Sequence, residues 1–79
     1  MINNNEKLKQ DFILLGLHIK KLREERNLTI KDVALKTGIR AQYLRKIENG
    51  TAYRVRIEGH LYKISKAFSI NFVEIFKFK

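Results

Sequence analysis

Cysteine and proline are absent from the 79 residues, glycine occurs only four times, and long apolar runs are lacking. The lack of cysteine excludes a disulfide framework and a thiolate metal site. The longest apolar run, residues 12–17, is far shorter than the roughly 20 residues of a membrane span, and no signal-peptide cleavage pattern follows it. With few helix-breaking residues and no internal repeat, we expect one all-helical domain, soluble and cytoplasmic.

Acidic residues are scarce relative to basic ones. Seventeen Lys and Arg residues oppose eight Asp and Glu residues, which gives a formal net charge of +9. This excess indicates a polyanionic partner. Between Gly38 and Arg56 there are five basic residues and a single acidic one, so the charge is concentrated in one part of the chain.

No pattern typical of an enzyme or a metal site is present. His18 and His60 have no partners at metal-ligand spacing. No Ser/His/Asp set, glycine-rich phosphate loop or pair of inward carboxylates can be proposed. We therefore predict no enzymatic activity, no cofactor and no metal, and we interpret both histidines as solvated or locally hydrogen-bonded.

A helix followed by a tight turn is predicted from Thr29. The Thr29 side chain can cap the helix, with Asp32 three residues later as a weaker version of the usual Glu of a capping box. Gly38 can adopt the left-handed conformation that ends such a helix. The chain should therefore turn at Gly38.

A second helix is predicted to follow the turn and to present two different faces. Leu44 and Ile47 lie three residues apart on an apolar face. The opposite face is polar and carries Gln42, Arg45, Lys46 and Asn49. Counted from Ile30 as the first position, a small residue is fifth, a glycine is ninth, and aliphatic residues are tenth, fifteenth and eighteenth. This pattern is typical of a helix-turn-helix, which is a DNA-binding motif.

The first helix is predicted from apolar residues that recur at steps of three and four before the motif. Gly16 in its interior would cost about 1 kcal/mol relative to Ala, so we expect the helix to begin near Asp11. Residues 1–10 would then form a flexible or partly helical extension, and residues 11–79 a single DNA-binding domain. The helix should end near Asn27.

Two further helices are predicted beyond the motif. One spans about residues 58–67, and Asn71 can cap a last short helix. This last segment is unusually aromatic for a surface, and a small monomer seldom leaves such a patch exposed. We expect it to form a dimer interface or, alternatively, to fold back onto Leu14 and Leu17. The interface candidates are Phe72, Ile75, Phe76 and Phe78.

With these residues placed, the chain resembles the phage-repressor and Cro-like family of bacterial helix-turn-helix regulators, also called the xenobiotic-response-element (XRE) family. The matching stretches are LGLHIKKLREERNLT, VALKTGI, YLRKIENG and HLYKISKAFSI followed by EIF, over about residues 15–76. The resemblance implies an all-α, five-helix, lambda-repressor-like domain. It also implies that the domain binds operator DNA, usually as a two-fold dimer, with helix three in the major groove, and that Arg23 and Glu48 form a buried salt bridge.

Side-chain chemistry and the resemblance together suggest DNA contacts. Ala41, Gln42 and Lys46 match positions from which the family reads bases, and Arg45 is adjacent. Gln42 can bond to adenine through two hydrogen bonds, and Arg45 or Lys46 can donate to guanine. Candidates for phosphate or minor-groove contacts are Thr29, Lys31, Arg40, Tyr43, Asn49, Arg54 and Arg56.

The chain departs from the family pattern at three positions. Ile30 stands where a Gln commonly contacts phosphate, so that contact is lost or is supplied by Thr29 or Lys31. Arg40 stands where a Ser or Thr often begins the recognition helix, which weakens the cap. Ser69 replaces the usual glycine after helix four and leaves the geometry of that turn open.

The sequence therefore predicts a DNA-binding transcriptional regulator, in the first place a repressor or autoregulator, that acts as a homodimer on double-stranded DNA. The alternative is a protein-interaction module with a toxin or another regulator as partner. An antitoxin that covers a toxin and a helix-turn-helix domain of the cell-shape-adaptor kind both belong to this class. The adaptor alternative requires a membrane span, and the sequence contains none.

Overall fold

The computed structural model describes residues 4–52 and 54–78, and all of its regular elements are helical. Its four α-helices are α1 (Asn4–Glu25), α2 (Ile30–Thr37), α3 (Ala41–Glu48) and α4 (Tyr62–Ala67). A single π-helical turn, Ile57–Leu61, leads into α4, and a 3-10 helix, Phe72–Phe76, follows it. The all-α prediction is confirmed for the described residues. The predicted count of five helices is not, because the last predicted helix is a 3-10 helix and four of the described elements are α-helices.

The helical elements share one apolar core. Ile64 and Ile75 are completely buried, and Ile19 retains 2% of its exposure. Each fully buried aliphatic side chain contributes about 1.5–3 kcal/mol relative to an exposed one. The other core residues are Leu15, Val33, Ile39, Leu44, Ile47, Ala52, Leu61 and Phe68. Among the described residues, no helix is both long enough and apolar enough to cross a membrane.

Helix α1 begins at Asn4, well before Asp11, where the sequence predicted its start. Residues 4–10 of the predicted extension are thus helical, and only the favoured start at Asp11 was wrong, because that prediction treated Gly16 as a helix-weakening residue. A Cβ atom at Gly16 would lie 2.6 Å from the carbonyl oxygen of Glu48 and would also overlap that of Ile47. Glycine therefore stands here because the backbones of α1 and α3 touch, and the helix continues through it.

The turns around α2 have the predicted geometry. Asn27 is left-handed with φ of 55° after the end of α1. The Thr29 hydroxyl accepts from the Asp32 N–H at 3.0 Å, and the Asp32 carboxylate accepts from the Thr29 N–H at 2.8 Å, which completes a capping box. Gly38 has φ of 76° and donates its N–H to the carbonyl oxygen of Ala34. These local bonds fix where α2 begins and ends.

The C-terminal segment packs against α1 beside His18. The Nε2 atom of His18 donates to the carbonyl oxygen of Glu74 at 2.8 Å, and the rings of His18 and Phe78 are 6.1 Å apart. Leu14 and Leu17 nevertheless retain 41% and 56% exposure. The segment thus folds back onto α1, but it leaves these two leucines uncovered.

One of the four residues predicted for a dimer interface lies in the core. Ile75 is completely buried within the protomer, so it is unavailable to a partner. Phe72 and Phe78 are half-buried, and Phe76 is 40% exposed with its ring 5.2 Å from that of Phe72. The apolar residues of this segment therefore serve two purposes: some pack within the protomer, and others remain exposed on its surface.

The turn after α4 is left-handed although it contains no glycine. Ser69 has φ of 58° and donates its N–H to the carbonyl oxygen of Lys66 at 3.1 Å. The left-handed conformation costs an L-residue with a side chain roughly 1–2 kcal/mol. The serine thus adopts the conformation that the usual glycine would take, and it does so with strain.

Replacing Gly16 with Ala should destabilise the fold by at least about 2 kcal/mol, because the new methyl group meets backbone carbonyls that cannot move aside. The loss would occur despite the better helix propensity of Ala. Urea unfolding followed by circular dichroism measures it. Gly59→Ala is the matched control, since a Cβ there meets Arg56 side-chain atoms at 3.6 Å, an ordinary contact. Equal stabilities of the two variants would contradict the backbone contact.

Replacing Ser69 with Gly should raise the free energy of unfolding by about 0.5–1 kcal/mol. The substitution removes the strain of the left-handed serine, and the greater conformational entropy of glycine in the unfolded chain offsets part of that gain. Such a gain raises Tm by about 2–8 °C in a domain of this size. Thermal unfolding of Ser69→Gly and Ser69→Ala separates conformation from side-chain chemistry. A Tm gain in the alanine variant as well would show that strain is not the cause.

Candidate nucleic-acid interface

The second helix of the motif, α3, buries one side and leaves the other free. Leu44 and Ile47 are each 2% exposed and pack into the core. Gln42, Arg45 and Lys46 are exposed on the other side. A short helix anchored in this way holds its polar side chains in a fixed register while their ends remain available to a ligand.

The position of α3 depends on an ion pair with α1. Arg23 Nε and Nη2 donate to the two carboxylate oxygens of Glu48 at 2.7 and 3.0 Å, and Nη1 donates to the carbonyl oxygen of Leu28 at 2.8 Å. The side chains are only 12% and 8% exposed. Hydrogen bonding to Glu48 raises the pKa of Arg23 above its ordinary value, against the opposing effect of burial. One guanidinium thus joins α1, the turn before α2 and the end of α3.

The start of α3 has the weak cap that the sequence indicated. Arg40 occupies the N-cap position in an extended conformation, and its side chain makes no capping hydrogen bond. The guanidinium is exposed. Because it makes no capping bond, Arg40 is available for an anion at the edge of the exposed polar side of α3.

His60 lies against α3, a contact that the sequence did not reveal. Its ring centroid is 4.8 Å from that of Tyr43, which is half-buried. Its Nδ1 atom accepts from the Arg56 N–H at 2.9 Å, so the neutral ring carries its proton on Nε2. Burial first, and then the charges of Arg56 and Lys63, lower the pKa of His60. A neutral imidazole therefore connects the π turn to α3.

Two adjoining clefts bring some of the predicted residues together. Arg40, Gln42, Tyr43 and Lys46 line the first cleft. The second shares Arg40 and Tyr43 with it and continues to His60 and Lys63, with Gly38, Ile39 and Gly59 completing its wall. A positive surface therefore extends from the exposed polar side of α3 to the start of α4. Lys63 was not singled out from the sequence, and its basic character in the predicted fourth helix was the signal that could have indicated this extension.

The other predicted contact residues lie outside these two clefts. The Thr29 hydroxyl is engaged in the capping box, while Lys31 is exposed in the first turn of α2. Asn49 is exposed at the end of α3. Arg54 and Arg56 are exposed between α3 and α4, and Ala41 is half-buried at the start of α3.

The fold and this surface define a helix-turn-helix protein with a basic face. Residues 18–79 match a family model described as the Cro/C1-type HTH DNA-binding domain. The chain belongs to this family of DNA-binding transcription regulators, which confirms the XRE-family prediction. The family is not one of enzymes, and the match does not favour the protein-interaction alternative. Comparisons with curated proteins and with solved structures gave no match.

Removing one partner of the buried ion pair should be far more damaging than removing both. Glu48→Gln leaves the Arg23 charge buried without its partner, so we expect a loss of about 3–5 kcal/mol in the free energy of unfolding. Arg23→Met combined with Glu48→Met should recover a large part of that loss, because neither charge then remains. Urea unfolding measures all three proteins.

The control for these variants is the exposed ion pair of Lys77 and Glu74. Their side chains are 61% and 42% exposed, and the Lys77 Nζ lies 2.9 Å from a carboxylate oxygen of Glu74. Glu74→Gln should change stability by about 0–1 kcal/mol. If Glu48→Gln were no more harmful than Glu74→Gln, the ion pair would not be what holds α3 in place.

Proposed function

We propose that the protein is a repressor or autoregulator that binds a two-fold operator as a homodimer, with α3 in the major groove. The observation that carries this proposal is the division of α3 into a buried side, Leu44 and Ile47, and an exposed polar side. The major groove admits an α-helix of this kind. Occupancy of an operator keeps other proteins off the same DNA, which gives repression without any chemistry.

Base reading is proposed for the exposed side of α3. Gln42 can accept from and donate to adenine through its amide, whereas Arg45 and Lys46 can donate to the two acceptors of guanine. Each good pair of this type discriminates by about 1–3 kcal/mol against the wrong base. Ala41, half-buried at the start of the helix, offers a methyl group to thymine at close range.

Phosphate contacts are proposed for the residues around α3. Arg40 and Tyr43 line both clefts beside the reading face. Such contacts fix the register of the protein on the duplex and give salt-dependent affinity without direct sequence information. Thr29, Lys31, Asn49, Arg54 and Arg56 are the further candidates for phosphate or minor-groove contacts.

Dimerisation is proposed through the C-terminal segment, taken as the fifth helix of a lambda-repressor-like domain. Val73 and Phe76 are 56% and 40% exposed there, and Phe72 and Phe78 are half-buried beside them. A second copy would cover this surface and place two α3 helices on successive turns of DNA, about 34–36 Å apart.

Selection from random-sequence duplexes, followed by sequencing of the retained DNA, tests the proposal. We expect a two-fold motif and a steep decrease of affinity with salt. Gln42→Ala combined with Lys46→Ala should abolish the motif and weaken binding to the selected DNA by about 2–6 kcal/mol, since two base contacts are lost. Fluorescence anisotropy with the selected duplex measures this loss.

Gln10→Ala combined with Lys20→Ala provides a matched control. It removes the same two residue types from exposed positions on α1, and it should preserve the motif and most of the affinity. Recovery of no motif at moderate salt, or equal losses in the two double variants, would overturn the assignment of α3 as the reading helix.

A further inference from the structure

We propose that bound DNA extends beyond α3 onto a lysine track, defined as Lys36, Lys63 and Lys66, which contacts backbone phosphates outside the base pairs that α3 reads. The inference rests on the proposed function and adds to it the length of DNA backbone that one protomer holds. None of the three lysines was expected to be a DNA contact from the sequence.

The lysine track is continuous with the reading face. A third cleft lies beside the one that contains His60, and the two share Lys63. Lys36 at the end of α2 and Lys66 in α4 line this third cleft, together with Thr37, Tyr62, Ala67 and Ser69. Neighbouring clefts therefore run from Lys46, through Arg40 and Lys63, to Lys36 and Lys66.

The charge along this path has one sign. Five cations and no carboxylate are among the residues that line the three clefts, namely Arg40 and Lys46 with the lysine track. Across residues 4–52 and 54–78, no ion pair involves any of the three lysines. Asp32, one turn before Lys36 on α2, directs its carboxylate to the Thr29 N–H. The hydrogen bonds with Thr29 first, and then the charge of Lys36, lower the pKa of Asp32. Because none of the three lysines forms an ion pair in the described part of the chain, each can still take an external anion.

Lys66 and Lys63 each interact with a neighbouring side chain. The Lys66 Nζ lies over the Tyr62 ring, 5.5 Å from its centroid. The charge of Lys63 acts on His60, which is itself in contact with Tyr43 of α3. Lysines scattered over a merely solvated surface would have no reason to follow one path from the recognition helix.

A duplex backbone fits this path better than a small anion does. Duplex DNA carries one negative charge per about 1.7 Å of its axis. The backbone that continues beyond the bound groove therefore presents a row of phosphates rather than a single one. Each phosphate neutralised by a lysine adds about 0.9 to the slope of log K against log salt concentration. The number of contacts is therefore a measurable quantity.

The experiment combines charge removal with DNA length. The duplex recovered by selection is prepared in two forms, one trimmed to the motif and one extended by about one helical turn of DNA on each side. The track variant carries Lys36→Gln, Lys63→Gln and Lys66→Gln. The control variant carries Lys9→Gln, Lys20→Gln and Lys21→Gln, which remove the same charge from exposed positions on α1. Circular dichroism verifies that both variants fold.

On the extended duplex, the track variant should lose about 2–3 from the salt slope and at least about tenfold in affinity at low salt. On the trimmed duplex it should resemble the control variant. Equal slopes for the two variants on the extended duplex would overturn the inference, as would equal losses by the track variant on both duplexes, which indicate a general attraction. If the unmodified protein selects no motif at all, it is the proposed function that fails.

Discussion

The buried pair of Arg23 and Glu48 is the constraint on which the geometry of the motif depends. Charges removed from water are stabilising only when their hydrogen bonds are satisfied, and here one guanidinium satisfies both carboxylate oxygens and the Leu28 carbonyl. The three points it joins belong to α1, to the turn before α2 and to the end of α3. The motif is consequently held from behind by this contact as well as by the local bonds of its own turns.

The same ion pair determines the sign of the charge on the solvent-exposed side of α3. Glu48 is the one carboxylate in α3, and it points inward to Arg23 rather than toward solvent. The outer side of α3 therefore presents Arg45 and Lys46 without a compensating negative charge. Burial of a single acidic side chain thus serves the fold and the electrostatics of the face at once, since an exposed carboxylate there would repel phosphate.

Local sequence signals predicted the motif because the interactions that define it are local. The capping box of Thr29 and Asp32 and the left-handed Gly38 span only a few residues, so their residue types suffice. The start of α1, the burial of Ile75 and the contact of His60 with Tyr43 depend on segments far apart in the chain. Periodicity identifies an apolar residue but not the partner that covers it, and a glycine in a helix does not show whether another backbone touches it. The lysine track was missed for the same reason, since α2 and α4 meet only in the fold.

The backbone contact at Gly16 has a consequence for how binding preference can change. Because α3 rests on α1 through main-chain carbonyls, its tilt is independent of the side chains on its outer surface. Residues 42, 45 and 46 can then be exchanged without a new docking angle or a repacked interior. If α3 reads bases as proposed, a scaffold of this kind would allow sequence preference to be changed by a few surface substitutions.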